Sequence, residues 1–334
     1  MIWSYSAARM FLQCQRRWFF KNKLASATAR DPLRREAYVL SKLQNLRSWR
    51  GNVVDATLSE TLIRDINRGA QVTLSRLIHD AKQRFDADLR RAITADEADP
   101  IGAIRDGRIM FWQEAYGQGI TQQDRDSAWS DVENALRSIY SLVTVRTTLK
   151  SAANVIAQRP LQFRIGTISI RAVPDAVAFA TGVPPTIIDW KVQSGRGRDY
   201  RLQLALYAVA LTRAVPHRDF PAGFGGYEPS AIRLIEAQLL RNVECEYFVT
   251  EDDVLELEDF VASIGTQMEL ASASESLTAE EFETARWPNL CETCEFKKMC
   301  WRERNETADE RIPDNEPKRF QAALSFGSSI GASA

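Results

Sequence analysis

Four short β-rich runs crowd into the stretch from residue 161 to residue 192, and their order constrains the fold more than any other feature of the chain. The runs 161–165, 168–172, 176–180 and 186–192 are separated by Gly or Pro, the pattern of consecutive strands in a meander. Residues 199–214 then read as a helix, and two further strands follow at 232–240 and 243–249, across a turn at Arg241-Asn242. Upstream, residues 33–150 repeat their apolar positions with a helical period, as in Leu58-Leu62-Ile66 and Val132-Leu136-Ile139. Residues 4–21 read as one N-capped amphipathic helix with Met10, Phe11, Trp18 and Phe19 on its apolar face. Thr250 with Asp253 three positions on is a capping-box-like start to a helix reaching about residue 270. After Trp301 the apolar period is lost, so the end of the chain reads as a mobile tail.

The chemistry concentrates in the strand region. Asp175 follows Pro174, and Asp189-Trp190-Lys191 closes the apolar run that begins at Thr186. Side chains alternate along a strand, so Asp189 and Lys191 share one face while Trp190 points to the other. With Asp175 on the adjacent strand, two carboxylates and an ammonium meet. Such a trio can hold Mg²⁺ or Mn²⁺ against a phosphate, while the lysine orients or deprotonates an attacking water. An Asp-x-Lys at a strand end is common, and alone it decides little. Gln203 and Tyr207, at i and i+4 on one face of the next helix, add weight. Gln203 can bond the lysine, a metal ligand or a phosphate, and Tyr207 can stack a base or bond the backbone. Residues 194–198, Ser-Gly-Arg-Gly-Arg, form a basic loop suited to phosphates or simply to solvent.

Composition narrows the setting. In 334 residues, 45% hydrophobic and 26% charged, the longest apolar-looking segment falls far short of the ~20 residues a bilayer needs. Arg9, Arg16 and Arg17 interrupt the N-terminus, which does not read as a secretory signal. Residues 1–50 hold eleven Lys/Arg against Asp31 and Glu36, in a chain whose net charge is −1. That asymmetry suggests a local anionic partner or a solvated basic face. Five cysteines are too few for a secreted disulfide scaffold, and Cys291, Cys294 and Cys300 lie within ten residues. A cytoplasmic protein with a thiolate metal site is expected. Three ligands need a fourth, and the candidates are an iron–sulfur cluster, a zinc site or unligated structural cysteines. Cys245, in an apparent strand, reads as a buried small hydrophobe.

Taken together, Pro174-Asp175, Ile187-Ile188-Asp189-Trp190-Lys191 and Tyr200-Arg201-Leu202-Gln203-Leu204-Ala205-Leu206-Tyr207 resemble the PD-(D/E)XK nuclease superfamily. The narrower resemblance is to its RecB/AddB-type and CRISPR-associated-exonuclease-like branch, whose opening motif is similar to Ser4-Tyr5-Ser6, Phe11, Cys14, Arg17 and Trp18-Phe19 here. The resemblance implies an α/β restriction-endonuclease-like core, a mixed β-sheet flanked by helices, with a helical N-terminal insertion and a C-terminal iron–sulfur staple. It implies Asp175, Asp189 and the Trp190 carbonyl as ligands of Mg²⁺ or Mn²⁺, Lys191 as the catalytic lysine, and Gln203 and Tyr207 as an auxiliary motif. It also implies a [4Fe-4S] cluster on Cys14, Cys291, Cys294 and Cys300. One position departs: the branch carries Gly-x-x-x-His, whereas Gly51-Asn52-Val53-Val54-Asp55 ends in Asp55, which either binds a hard cation or marks reduced activity.

The expected division is an N-terminal helix with the first cluster cysteine (1–22), a mainly helical region (23–153), the nuclease core (154–275), the cysteine motif (276–305) and the tail (306–334). The expected function is a metal-dependent DNA exonuclease or end-processing enzyme on single-stranded or frayed DNA. Trp18, Trp49 or Tyr207 would stack bases in it unless they are core residues. The competing reading is a catalytically weak or inactive DNA-binding scaffold. Lacking a GxxxxGK[ST] loop, the chain is expected to work beside a separate helicase, adaptation or defence protein, in repair, CRISPR adaptation or anti-phage defence.

Overall fold

The computed structural model describes residues 2–192, 200–273 and 278–302. The expected tail at 306–334 and the basic loop at 194–198 lie outside the described residues. The described residues hold eight strands: β1 (Ile2–Trp3), β2 (Asn154–Ala157), β3 (Leu161–Ile165), β4 (Ile168–Ala172), β5 (Ala176–Phe179), β6 (Thr186–Lys191), β7 (Arg233–Gln238) and β8 (Val243–Tyr247).

These strands do not form one meander. β3 and β4 pair antiparallel, and with β1 they make a three-stranded sheet in the order β1-β4-β3. β5 and β6 belong to a second, five-stranded sheet in the order β2-β5-β6-β7-β8. The chain changes sheets between Ala172 and Ala176, where Pro174 has no N–H to continue a ladder. Within the larger sheet β6 and β7 run parallel, with Asp189 opposite Glu236, while the other neighbours are antiparallel. A parallel pair needs a crossover, and the buried helix Tyr200–Arg213 supplies it. β2 is a strand that the pattern of the sequence did not reveal, because Asn154–Ala157 offers only two apolar residues in a row before Ala157.

The five-stranded sheet is covered on both faces, which is why β6 is buried along almost its whole length. Ile187 and Leu234 face one apolar cluster, shared with Trp18, Phe19 and the helices Tyr200–Arg213 and Glu251–Ala273. Ile188, Trp190, Ile235 and Ala237 face the other, shared with Trp49, Val53, Val132 and Leu136 of the helical region. The helical residues from Trp49 to Leu149 thus build one of the two cores jointly with the sheet, while Leu24 and Ala37 belong to the other.

The N-terminal helix is interrupted. Tyr5–Gln13 starts at Ser4, whose Oγ accepts from Ala7 N at 3.3 Å, and ends at Cys14 in an extended conformation. A second helical segment, Gln15–Phe19, begins there, with Cys14 Sγ accepting from Arg17 N at 3.3 Å. The break has a visible cause. Arg16 N donates to Glu283 O at 3.0 Å and Arg286 N donates to Gln13 O at 3.3 Å, so backbone bonds to the C-terminal segment replace helical ones.

Part of the basic excess of residues 1–50 is used internally. Buried Arg16 donates to the Phe282 carbonyl, Arg17 pairs with Glu295 at 2.8 Å, and Arg50 pairs with Asp131. Trp18 and Trp49 are 1% and 0% exposed, and Trp49 packs on Phe85 and Phe111. They are core residues and cannot stack a base. Cys245, expected to be buried, is half-buried on β8 opposite Glu236. Among the described residues no helix is long and apolar enough to cross a membrane.

Candidate active site

The register of β5 and β6 pairs Ala176 with Ile188, and one step further places Asp175 opposite Asp189. Asp175 Oδ2 accepts the backbone N–H of Trp190 at 2.9 Å, which locks the acid to the neighbouring strand. Alternation then separates the next two residues. Asp189 and Lys191 lie on the face covered by Tyr200–Arg213, and Trp190 turns to the face covered by the helix Leu46–Thr57. From that helix Asp55 reaches the site, its Oδ1 accepting the Trp190 indole N–H at 2.9 Å.

Lys191 Nζ lies 2.6 Å from Asp189 Oδ2, an ion pair not aligned as a hydrogen bond, and among the described residues Asp189 Oδ1 lacks a hydrogen-bond donor. Lys191 Nζ also donates to Gln203 Oε1 at 3.4 Å, and Gln203 Nε2 donates to Tyr207 Oη at 2.7 Å. A continuous chain of contacts therefore runs from Asp189 to Tyr207. Tyr207 is 6% exposed, so it anchors Gln203 and does not stack a base.

Electrostatically the site is overcharged with acid. Burial pushes Asp175 well above the usual carboxylate range, and Asp189 and Asp55 push it further, while Lys191 opposes them. Burial likewise raises Asp189, against the pull of Lys191, with Glu236 adding to the rise. Asp55 is raised by burial despite its bonds from Trp190 and Gln158. For Lys191, burial works to lower the ammonium, but Asp189 and Asp175 outweigh it and hold the proton on more firmly than in solvent. Burial raises the Tyr207 phenol too, aided by Asp189 and Asp175, so it stays neutral. Among the described residues one ammonium thus faces several carboxylates.

Two contributors escaped the sequence reading. Gln158 Nε2 donates to Asp55 Oδ1 at 2.8 Å and to Asp175 Oδ1 at 3.1 Å. Its place one residue beyond β2 hid it, because β2 itself was not legible. Glu236 is 1% exposed and accepts from Gln238 and Tyr247. An acid between Ile235 and Ala237 in an apolar strand was a usable signal.

Among the described residues the donor set has the chemistry of a hard-cation site: carboxylate oxygens, buried, in excess of their counter-charge, one of them lacking a donor. As they stand, the side chains do not close around an ion. Among the described residues no group of three or more His, Cys, Asp or Glu is arranged to hold one. At this site the Gln158 amide occupies the acceptors of Asp55 and Asp175, and the Lys191 ammonium leans on Asp189. The Trp190 carbonyl lies on the part of β6 that pairs with β7.

Away from this site, Cys14 near the N-terminus and Cys291, Cys294 and Cys300 near residue 300 are half-buried. Burial raises the Cys14 thiol, and Cys300 and Cys291 add to the rise. Cys294 is pushed up to about 12, by burial first and Glu295 next, with Cys14 contributing. Cys14 is thus within electrostatic reach of each of the three C-terminal cysteines, although among the described residues they are not arranged as a metal site. The loop is clamped from the helical region, where Trp112 Nε1 donates to Cys294 O at 3.2 Å and Tyr116 Oη to Glu295 O at 3.0 Å.

The sequence profile of the PD-(D/E)XK nuclease superfamily matches residues 2–301. The chain belongs to that superfamily, and its mixed sheets flanked by helices are a restriction-endonuclease-like core. It is a nuclease-family hydrolase, in a class that generally uses divalent cations such as Mg²⁺ or Mn²⁺. Solved structures similar to it include the protein SSO0001, at 13% identity and TM-score 0.28, covering 57% of this chain and 79% of that one. Another is a protein from Eubacterium rectale provisionally named an exonuclease, at 12% identity and TM-score 0.32, covering 77% of this chain and 81% of that one. No curated protein matches the chain.

Proposed function

We propose that the chain is a metal-dependent deoxyribonuclease that processes single-stranded or frayed DNA ends, with Asp55, Asp175, Asp189 and the Trp190 carbonyl as the cation's ligands. The observation that carries this reading is the buried excess, among the described residues, of carboxylate over ammonium at the end of β5 and β6, with Asp189 Oδ1 lacking a donor there. Bound there, Mg²⁺ or Mn²⁺ supplies a Lewis acid for the phosphoryl oxygens and the attacking water. Lys191 keeps its proton beside two aspartates, which suits it to offset charge on the phosphate rather than to act as a base. Gln203 holds that ammonium in place, and Tyr207 holds Gln203.

The second part of the proposal is a structural [4Fe-4S] cluster on Cys14, Cys291, Cys294 and Cys300. Its support is that Cys14 feels the charge of Cys291, Cys294 and Cys300, a repulsion between thiolates that a cationic cluster core would offset. A link between positions 14 and 300 closes nearly the whole chain into a loop, which restricts the unfolded ensemble strongly. Such a cluster suits a reducing, cytoplasmic setting, and helicase, adaptation or defence proteins are the partners proposed.

Anaerobically purified protein with labelled single- and double-stranded DNA and Mg²⁺ or Mn²⁺ tests the first part. Cleavage is expected from the wild type and lost in Lys191→Ala and Asp189→Ala, with DNA binding largely kept. Equal cleavage by all three proteins would overturn the assignment, and no cleavage by any would favour a scaffold, the reading to which Asp55 in place of histidine points. Iron and acid-labile sulfide in equal amounts are expected. Stoichiometric zinc, or a Cys14→Ser protein as stable as wild type, would remove the cluster.

A further inference from the structure

Gln158 stands where the proposed ion-binding acids meet, and it does so at a backbone cost. Its φ is +50°, and among the described residues only Asn242 shares that region without being glycine. Asn242 lies at the turn before β8, where a left-handed residue is routine. Gln158 instead extends the β2–β5 ladder by one bond, its N–H donating to Asp175 O at 3.1 Å. Strain in a non-glycine residue persists where the surroundings over-determine it, and functional sites are a frequent place for it.

The side chain explains what the strain secures. One amide nitrogen bridges two acids from different elements, Asp55 Oδ1 at 2.8 Å and Asp175 Oδ1 at 3.1 Å. Carboxylate oxygens accept hydrogen bonds, and in the ion-free protein it is the NH₂ end of Gln158 that faces them. It occupies a point within bonding distance of one oxygen from each acid. Turned over, the same amide offers Oε1, a neutral hard oxygen of the kind that Asn and Gln give to Ca²⁺ and similar ions.

We propose that Gln158 is a two-state member of the cation centre, resting on the metal-dependent reading above. Its NH₂ bridges Asp55 and Asp175 in the ion-free protein, and its Oε1 joins the coordination when a cation arrives. No bond is made or broken beyond hydrogen bonds and coordination. The amide exchanges a donor for an acceptor as the charge between the acids is neutralised. The residue therefore holds apart-standing acids ready without a cation and does not leave them to repel each other.

The test measures Mn²⁺ binding by electron paramagnetic resonance in the absence of nucleic acid, with melting in chelator and in Mn²⁺. Gln158→Leu, which has neither donor nor ligand, is expected to bind Mn²⁺ about tenfold more weakly than wild type, the scale of a lost outer partner or weak ligand. Gln158→Glu is expected to bind at least as tightly as wild type. In chelator it should melt lower, since a further carboxylate replaces the bridging donor, and Mn²⁺ should remove the difference. Mn²⁺ affinity in Gln158→Leu equal to wild type would overturn the proposal. If that variant does not fold, Gln158→Glu decides alone: melting in chelator no lower than wild type is the overturning result. Asp175→Asn separates the two levels, because unchanged Mn²⁺ binding there would sink the ion site itself whatever Gln158 does.

Discussion

Two buried carboxylates, each a short distance from a cation, respond in opposite ways. Asp189 lies 2.6 Å from the Lys191 ammonium and is nevertheless raised. Asp253, at the start of the Glu251–Ala273 helix, is 2.6 Å and 2.8 Å from the Arg201 guanidinium and is lowered to about 2. The difference lies first in burial, the largest cause of the rise at Asp189, and then in the donors. Asp253 also accepts Thr250 N and Thr250 Oγ1, both at 2.7 Å, within the N-terminal turn of a helix, so its charge is fully hydrogen-bonded. Asp189 has one ammonium, one oxygen without a donor, and further acids beside it. A structural carboxylate is saturated by its own surroundings, whereas one kept for a cation is left short of partners, at a cost in stability until the cation binds.

The comparison breaks most readily at Asp175. Asp175→Asn is expected to lower cleavage on the order of a thousandfold, the scale of losing a group that stabilises reacting charge. In chelator the same variant is expected to melt higher than wild type, because it relieves a buried, repelled charge. A lower melting point in chelator would contradict the picture of an overloaded site.

Asp253→Ala sharpens the other side. It removes a cap and leaves Thr250 N without its acceptor, costing roughly 1 kcal/mol in denaturant titrations. Cleavage per folded molecule should be unchanged.

The two sites also differ in pH dependence. The raised Asp55, Asp175 and Asp189 contribute stability that is present at low pH and lost as pH rises through their folded values. In chelator the melting temperature should therefore rise as pH falls from neutral into the upper carboxylate range, and saturating Mg²⁺ should flatten that slope. Asp253 is depressed, so its contribution is present above the ordinary carboxylate value and lost as pH falls toward about 2. Asp253→Asn should remove part of the acid-side loss only.

The smallest effect is expected from Tyr207→Phe, which deletes one acceptor of Gln203. A stability change within about 1 kcal/mol and a few-fold drop in cleavage are expected, read from unfolding and single-turnover rates.

How much of this was legible follows from where the information resides. β3 and β4 lay where their β-rich runs put them, and the Thr250–Asp253 cap formed as its spacing suggested, because local period and capping chemistry act over a few residues. The break at Cys14 was not legible, since its cause is the segment around Glu283 and Arg286, nearly the whole chain away. The sheet switch at Pro174 was readable as an interruption but not as a change of partner. Trp18 and Trp49 each read as core more readily than as base-stacking residues, and their burial bears out the core reading.

By itself the sequence determined the chemistry available: acids at 175 and 189, an ammonium at 191, an amide and phenol one helical turn apart, and thiols at both ends. Side-chain alternation on β6 was enough to put Asp189 and Lys191 together. Only the tertiary structure decided that Asp55 and Gln158 join them. Their approach depends on a helix from residues 46–57 packing against the far face of the sheet, and on β2 running beside β5. Neighbours along a chain are set by periodicity, but neighbours across a core are set by which faces bury each other, and no local pattern carries that choice.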